Sequence, residues 1–273
     1  MQTVYIGNTL VNDVMLGSQR MDDTFTQPVN ALAVEYLVVA GGGGGGEVIT
    51  GPPLVRGGGG GAGGLLSGSA RLGYGIKYNI QVGGGNTVDF NAGAGQNSFL
   101  TGSNLYLFAN GGGFGAGAGS ATAGNGGSGG GARQNSSAFG TGSAGQGNSG
   151  AAGTSVASGG GGGAGSAASG VQTGSGLFSA ITGTLTHYAF GGSGSNAALA
   201  GVTPARFTGG GGGGAGAGSA PGNGADGIVV IRYPGSQKAT GGTVTTDGGF
   251  TVHEFKCLNR SSSAQFTLQL NPL

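Results

Sequence analysis

Six tracts of nearly uninterrupted glycine, at 41–46, 57–64, 111–119, 124–131, 159–165 and 209–218, constrain this chain more than any other feature. A residue without Cβ brings no side chain to a core, and ordering its backbone costs roughly 1–2 kcal/mol, the most of any residue type. Each glycine inside an α-helix costs roughly 1 kcal/mol more, so helices across these tracts are excluded. Collagen is excluded as well, because the long runs break a Gly-X-Y register and only seven prolines are present. A flexible linker is the simplest alternative. Against it, charged residues make up 7% of the chain, where an ordinary domain has roughly 25%, and the tracts are bracketed by apolar segments. The ordered conformation open to such a tract is the polyproline II helix, with three residues per turn and no internal hydrogen bonds. Without Cβ atoms, neighbouring helices can approach to roughly the strand spacing of 4.8 Å and pair amide with carbonyl.

The bracketing segments are short and rich in β-branched and aromatic residues: 35–40 (EYLVVA), 77–82 (KYNIQV), 104–109 (NLYLFA), 184–190 (TLTHYAF) and 228–233 (IVVIRY). No apolar 3.6-residue period free of glycine occurs. A six-residue glycine run spans roughly 19 Å as polyproline II, and a five- or six-residue strand spans roughly 17–20 Å, so the two can stack in one block. The expected fold is all-β with polyglycine II helices, a glycine-rich bundle or sandwich with little or no α-helix. Residues 41–46, 57–64, 159–165 and 209–218 are expected to bond to neighbouring segments, and 36–40 is expected to lie beside 228–233 in one sheet.

Charge and composition remove several functions. The net charge is +1, without a basic stripe for nucleic acid or anionic lipid. The single cysteine, Cys257, excludes an intramolecular disulfide, and two histidines, His187 and His253, leave little for a transition metal. No cofactor or metal site is expected. The N-terminus lacks the charge pattern of an export signal, and no stretch reaches the length of an apolar membrane span.

Catalytic patterns are present only weakly. Gly126-Gly127-Ser128-Gly129-Gly130 matches the nucleophile-elbow spacing, but a Gly/Ser tract produces it by chance and no strand-to-helix turn surrounds it. The segment 222–228 matches one turn of a calcium-binding nonapeptide repeat in a single copy. That fold needs stacked copies, so Asp226-Gly227 reads as the turn into the last strand. A glycosidase needs two convergent carboxylates, and the glycine-rich zone offers only Glu47, Asp89 and Asp226. Cys257 and His253 share a strand face because their offset is even, with nothing to activate the thiol. The chain reads as a non-enzyme.

Three zones follow: an N-terminal β module at 1–23, a glycine-rich domain at 24–234 and a β tail at 235–273. The first holds a near-repeat, Val4-Tyr5-Ile6-Gly7-Asn8 and Val14-Met15-Leu16-Gly17-Ser18. The opening Thr24-Phe25-Thr26 and Val34-Glu35-Tyr36-Leu37-Val38-Val39-Ala40, the tracts at 41–46 and 57–64, and the closing Gly224-Ala225-Asp226-Gly227-Ile228-Val229-Val230-Ile231-Arg232-Tyr233 together resemble the glycine-rich domain of bacteriophage tail fibres and receptor-binding tips. The near-repeat is similar to short modules at the N-termini of phage tail proteins. Residues 241–255 resemble a lead-in that often precedes such a domain, although here they follow it.

The resemblance implies a polyglycine II block on a virion, made in the host cytoplasm, with loops that contact a host surface. Its partners would be other virion proteins, through 1–23 and with 235–273 as a second contact, and a host receptor of protein or glycan. A homo-oligomer or many copies per particle is implied, without nucleic acid or membrane insertion. The receptor-contacting set is expected in the inserts between tracts, where loops on a rigid scaffold carry recognition and Arg and aromatic residues anchor it: Arg133, Phe139, Phe178, Arg206 and Phe207. The inserts 132–140, 177–190 and 195–208 are expected to cluster at one end, opposite 1–23. Rival readings are a passive virion connector or decoration protein, an ice-binding or matrix protein, and a tailspike glycosidase.

Overall fold

The structure is a computed structural model, and it describes residues 15–16, 19–20, 31–48, 54–86, 93–102, 105–197, 200–257 and 264–271. All regular elements among them are β-strands: β1 (Met15–Leu16), β2 (Gln19–Arg20), β3 (Ala31–Val39), β4 (Leu65–Gly73), β5 (Lys77–Val82), β6 (Ser98–Gly102), β7 (Leu105–Ala109), β8 (Leu177–Ser179), β9 (Thr186–Tyr188), β10 (Ile228–Pro234), β11 (Ala239–Thr240), β12 (Thr243–Asp247), β13 (Phe250–Lys256) and β14 (Ala264–Leu270). Sheet I has the order β12-β13-β10-β3-β4 and sheet II the order β11-β14-β5-β6-β7. β1 and β2 pair with each other, and the rest of the N-terminal module lies outside the described residues.

β3 and β10 are adjacent and antiparallel, with Val39 opposite Ile228 and Glu35 opposite Arg232. Their apolar runs are continuous because both faces are covered. Val34, Val38, Val229, Ile231 and Tyr233 face the core between the sheets, with Tyr78, Ile80, Leu100, Phe255 and Leu268. Leu37, Val39, Ile228 and Val230 face the other way, under Ile181 and Tyr188 of the β8–β9 hairpin. β4 and β6 lie at positions where no strand is expected from the sequence. β4 reads LLSGSARLG and buries chiefly its ends; it forms because all nine residues of β3 pair with it. β6, SFLTG, is likewise defined by β5 and β7 on its two sides. Residues 239–256 and 264–270, from the tail segment, add β11–β14 to both sheets.

The glycine tracts continue the strands. β3 runs into 41–46, 57–64 runs into β4, 93–97 into β6, β7 into 110–116 and 222–227 into β10. Their hydrogen bonds repeat every third residue. Gly41 and Gly44 donate to Gln96 and Gly93, Gly42 and Gly45 to Ala225 and Gly222, and Gly43 and Gly46 to Gly61 and Gly58. The carbonyls of the same tract accept from Gly112 and Gly115, from Gly212 and Ala215, and from Asn86. Three residues per turn send successive amides to three different neighbours, which is the signature of polyglycine II. The segment 57–64 is surrounded in the same way, donating to 209–215, 110–116 and 159–162 and accepting from 40–46, 128–131 and 192.

Packed sheets normally sit roughly 10 Å apart because side chains separate them. Beyond the strand ends that filling is gone, and the row that continues sheet I bonds directly to the row that continues sheet II, as in Gly41 N–H to Gln96 O at 3.0 Å. A Cβ on Gly43 would lie 2.2 Å from the carbonyl oxygen of Gly113, in the segment that continues β7 of sheet II, so only glycine permits this approach. The expected helix at 209–218 is shorter than its tract. Gly209 and Gly218 have φ of 66° and 70°, and Ser219 N–H closes a turn on Gly216 O.

Candidate functional site

Helices that leave the sheets must turn back at their far ends, roughly 20 Å away by the polyproline II rise. Bulky residues collect there because they no longer separate packed backbones. Three such loops are tied together. Arg56 Nη1 donates to Gln134 Oε1 at 3.0 Å and to the Val156 carbonyl at 3.1 Å. Gln134 Nε2 donates to the Ser155 carbonyl at 2.7 Å, and Asn135, at φ 59°, donates its N–H to Thr154 O. The insert that carries Gln134 also carries half-buried Arg133 and exposed Phe139. Neither Arg56 nor Gln134 stood out in the sequence, because each is one of several polar residues in an insert that flanks a long tract.

The remaining candidates are elsewhere. Phe178 is 68% exposed and stacks on His187 at 4.4 Å, which stacks in turn on Phe190 at 5.1 Å. This hairpin lies on sheet I: Ile181 packs with Val230 and Val252, and Arg232 Nη1 donates to the Ala180 carbonyl at 3.3 Å. The inserts 132–140 and 177–190 therefore occupy opposite ends of the block, contrary to the expectation of one cluster. The physical reason is that the second insert is apolar enough to cover the outer face of sheet I.

Arg206 and Phe207 are half-buried and make contacts inside the block. Arg206 Nε donates to Asp226 Oδ2 at 2.6 Å and Nη2 to the Cys257 carbonyl at 3.0 Å. Asp226 is fully buried and also accepts the Gly85 N–H. The guanidinium lies 4.9 Å from the Phe207 ring, and Phe207 packs against the cluster beneath the hairpin. Asp226 thus does more than turn the chain into β10.

A groove of about 310 Å³ opens between the hairpin and sheet I, lined by Glu35, Ser67, Ser69, Ala180, Ile181 and Arg232. Glu35 and Arg232 close on each other across the strands at 2.6 Å, and Arg232 also sits over Phe250 at 4.7 Å. Ser128 is buried inside a glycine helix, its N–H donated to Ala62 O and its carbonyl accepting Gly113 N–H. Glu47 is half-buried at the end of its helix, and Asp89 lies outside the described residues. Cys257 is buried in the core. His253, also buried, is held by Tyr233 Oη at 2.8 Å and by the Gly241 carbonyl at 2.8 Å. Its imidazole is pushed below its ordinary pKa by burial, with the Gly241 bond acting in the opposite sense. Among the described residues no three His, Cys, Asp or Glu side chains converge to hold a metal.

This geometry defines a class: an all-β sandwich extended by a hydrogen-bonded bundle of polyglycine II helices. The chain belongs to the glycine-rich domain family, whose model matches residues 18–234. No curated protein and no solved structure matches it.

Proposed function

We propose that the protein is a virion structural component, part of a phage tail fibre or tip that attaches the particle to its host cell without catalysis. The observation that carries this reading is the joining of three loops at the far end of a cross-bonded helix block, through Arg56 and Gln134. Such a block holds its loops at a fixed distance from the sheets, which suits presentation of a surface rather than turnover of a substrate. The resemblance to phage fibre and tip proteins supplies the virion setting. Arg133 and Phe139 are the receptor contacts in this reading, with Phe178 on a second surface. Arg206 and Phe207 support the scaffold. Residues 1–23 face other virion proteins.

The test uses particles that carry the Arg133→Ala/Phe139→Ser chain. Mass spectrometry of purified virions should find the chain in the particle, and the substituted particles should assemble normally but lose adsorption to the host. Failure to assemble with adsorption intact in the particles that do form would favour the connector reading. Absence of the chain from virions would remove the phage reading altogether.

A further inference from the structure

Sheet II turns alternate residues of β5–β7 into the core and their neighbours outward. Tyr78, Ile80, Val82 and Leu100 point inward. Register places Asn79, Thr101 and Tyr106 in one outward row and Gln81, Phe99 and Phe108 in the next. Tyr106 is 74% exposed, Asn79 is exposed, and Phe99, Thr101 and Phe108 are half-buried. The three rings are nearly parallel: Tyr106 and Phe108 lie 6.1 Å apart at 5°, and Phe99 and Phe108 lie 6.4 Å apart at 9°. Cross-strand packing explains the pairing of Phe99 with Phe108. It does not explain a tyrosine kept mostly in water beside them. Single exposed apolar residues are ordinary, whereas a contiguous exposed group marks a contact surface.

The chemistry of the two rows selects among contacts. Neither row carries a charge; Lys77 lies one row beyond. Amide and hydroxyl side chains stand next to aromatic rings whose faces carry negative potential and attract polarised C–H groups. A nucleic acid or acidic glycan would require cations, and a protein partner would require a broader apolar centre. We propose that this face binds a neutral oligosaccharide. Axial C–H groups of the sugar rings lie on Tyr106 and Phe108, and sugar hydroxyls exchange hydrogen bonds with Asn79 and Thr101. The distance from β5 across β6 to β7, roughly 10 Å, accommodates a disaccharide or a longer chain lying across the strands. The proposal does not depend on the loop surface or on the virion setting.

The experiment applies the purified 273-residue chain to an array of neutral hexose and N-acetylhexosamine oligosaccharides beside sialylated and sulfated ones, followed by calorimetry with the best neutral tetrasaccharide. Binding should be confined to neutral glycans. Tyr106→Ala should weaken it at least about tenfold, a change in affinity of about 1.4 kcal/mol, and Asn79→Ala several-fold. Leu185→Ser, at a 68% exposed residue on the β8–β9 hairpin, should leave it unchanged. Saturation-transfer NMR on the unsubstituted chain should show the sugar close to tyrosine and phenylalanine ring protons, which decides the matter even if Tyr106→Ala fails to fold. The proposal is overturned if the folded chain binds no neutral glycan, prefers charged ones, or binds equally well after Tyr106→Ala. It is also overturned if that substitution converts a dimer to a monomer in a chain that binds no glycan.

Discussion

A methyl group on Gly212 would sit 2.0 Å from the Gly222 carbonyl oxygen, and that obstacle is backbone, with no rotamer to swing away. At Gly218 the added Cβ would meet nothing within 4 Å, and only its φ of 70° disfavours a side chain. Gly218→Ala should therefore cost about 1–2 kcal/mol, the left-handed penalty. Gly212→Ala should cost clearly more, read as a larger fall in thermal midpoint; equal effects would mean that the tracts are not packed. Arg206→Ala strands a buried carboxylate and should destabilise by about 3 kcal/mol, measured by denaturant unfolding. His253 adds a pH dependence. Its folded pKa lies below the unfolded value of about 6.5, so below that pH the unfolded state binds more protons. Stability should be constant above about pH 6.5 and fall on acidification from there toward the lower folded pKa, and His253→Gln should flatten a midpoint-against-pH series.

Among elements, the strands that the sequence revealed are those buried on a full face. Lys77–Val82 and Ile228–Pro234 occur where their β-branched and aromatic residues place them. β4 and β6 were illegible because partners, rather than their own side chains, hold them in place. Leu105-Tyr106-Leu107-Phe108 alternates aliphatic with aromatic side chains and has no polar face, so the sequence did not say which face was wet and the exposure of Tyr106 was illegible. The glycine helices make a sharper demand, because each amide of 41–46 bonds to another segment of chain. Hydrogen exchange should find these amides about as slow as those of β3 and β10, although the tract has no ladder of its own. Rapid exchange across 41–46 and 58–61 would show a linker.

For the whole molecule, residues 235–273 matter more than their composition implies. β13 covers one edge of β10 and β14 one edge of β5, although the family match ends at residue 234. A chain truncated after Pro234 would open both edges and expose strands able to pair with other copies; it should aggregate or melt at a lower temperature, seen by light scattering and calorimetry. By itself the sequence determined the local conformations: extended glycine helices with threefold bonding, apolar strands at their ends and little or no α-helix, because backbone freedom and side-chain shape act residue by residue. Only the tertiary structure decided which helix bonds to which, where the inserts project and that the tail completes both sheets. Glycines are chemically identical to one another, so no tract encodes its neighbours; the flanking strands and the few bulky residues that must find space set that arrangement.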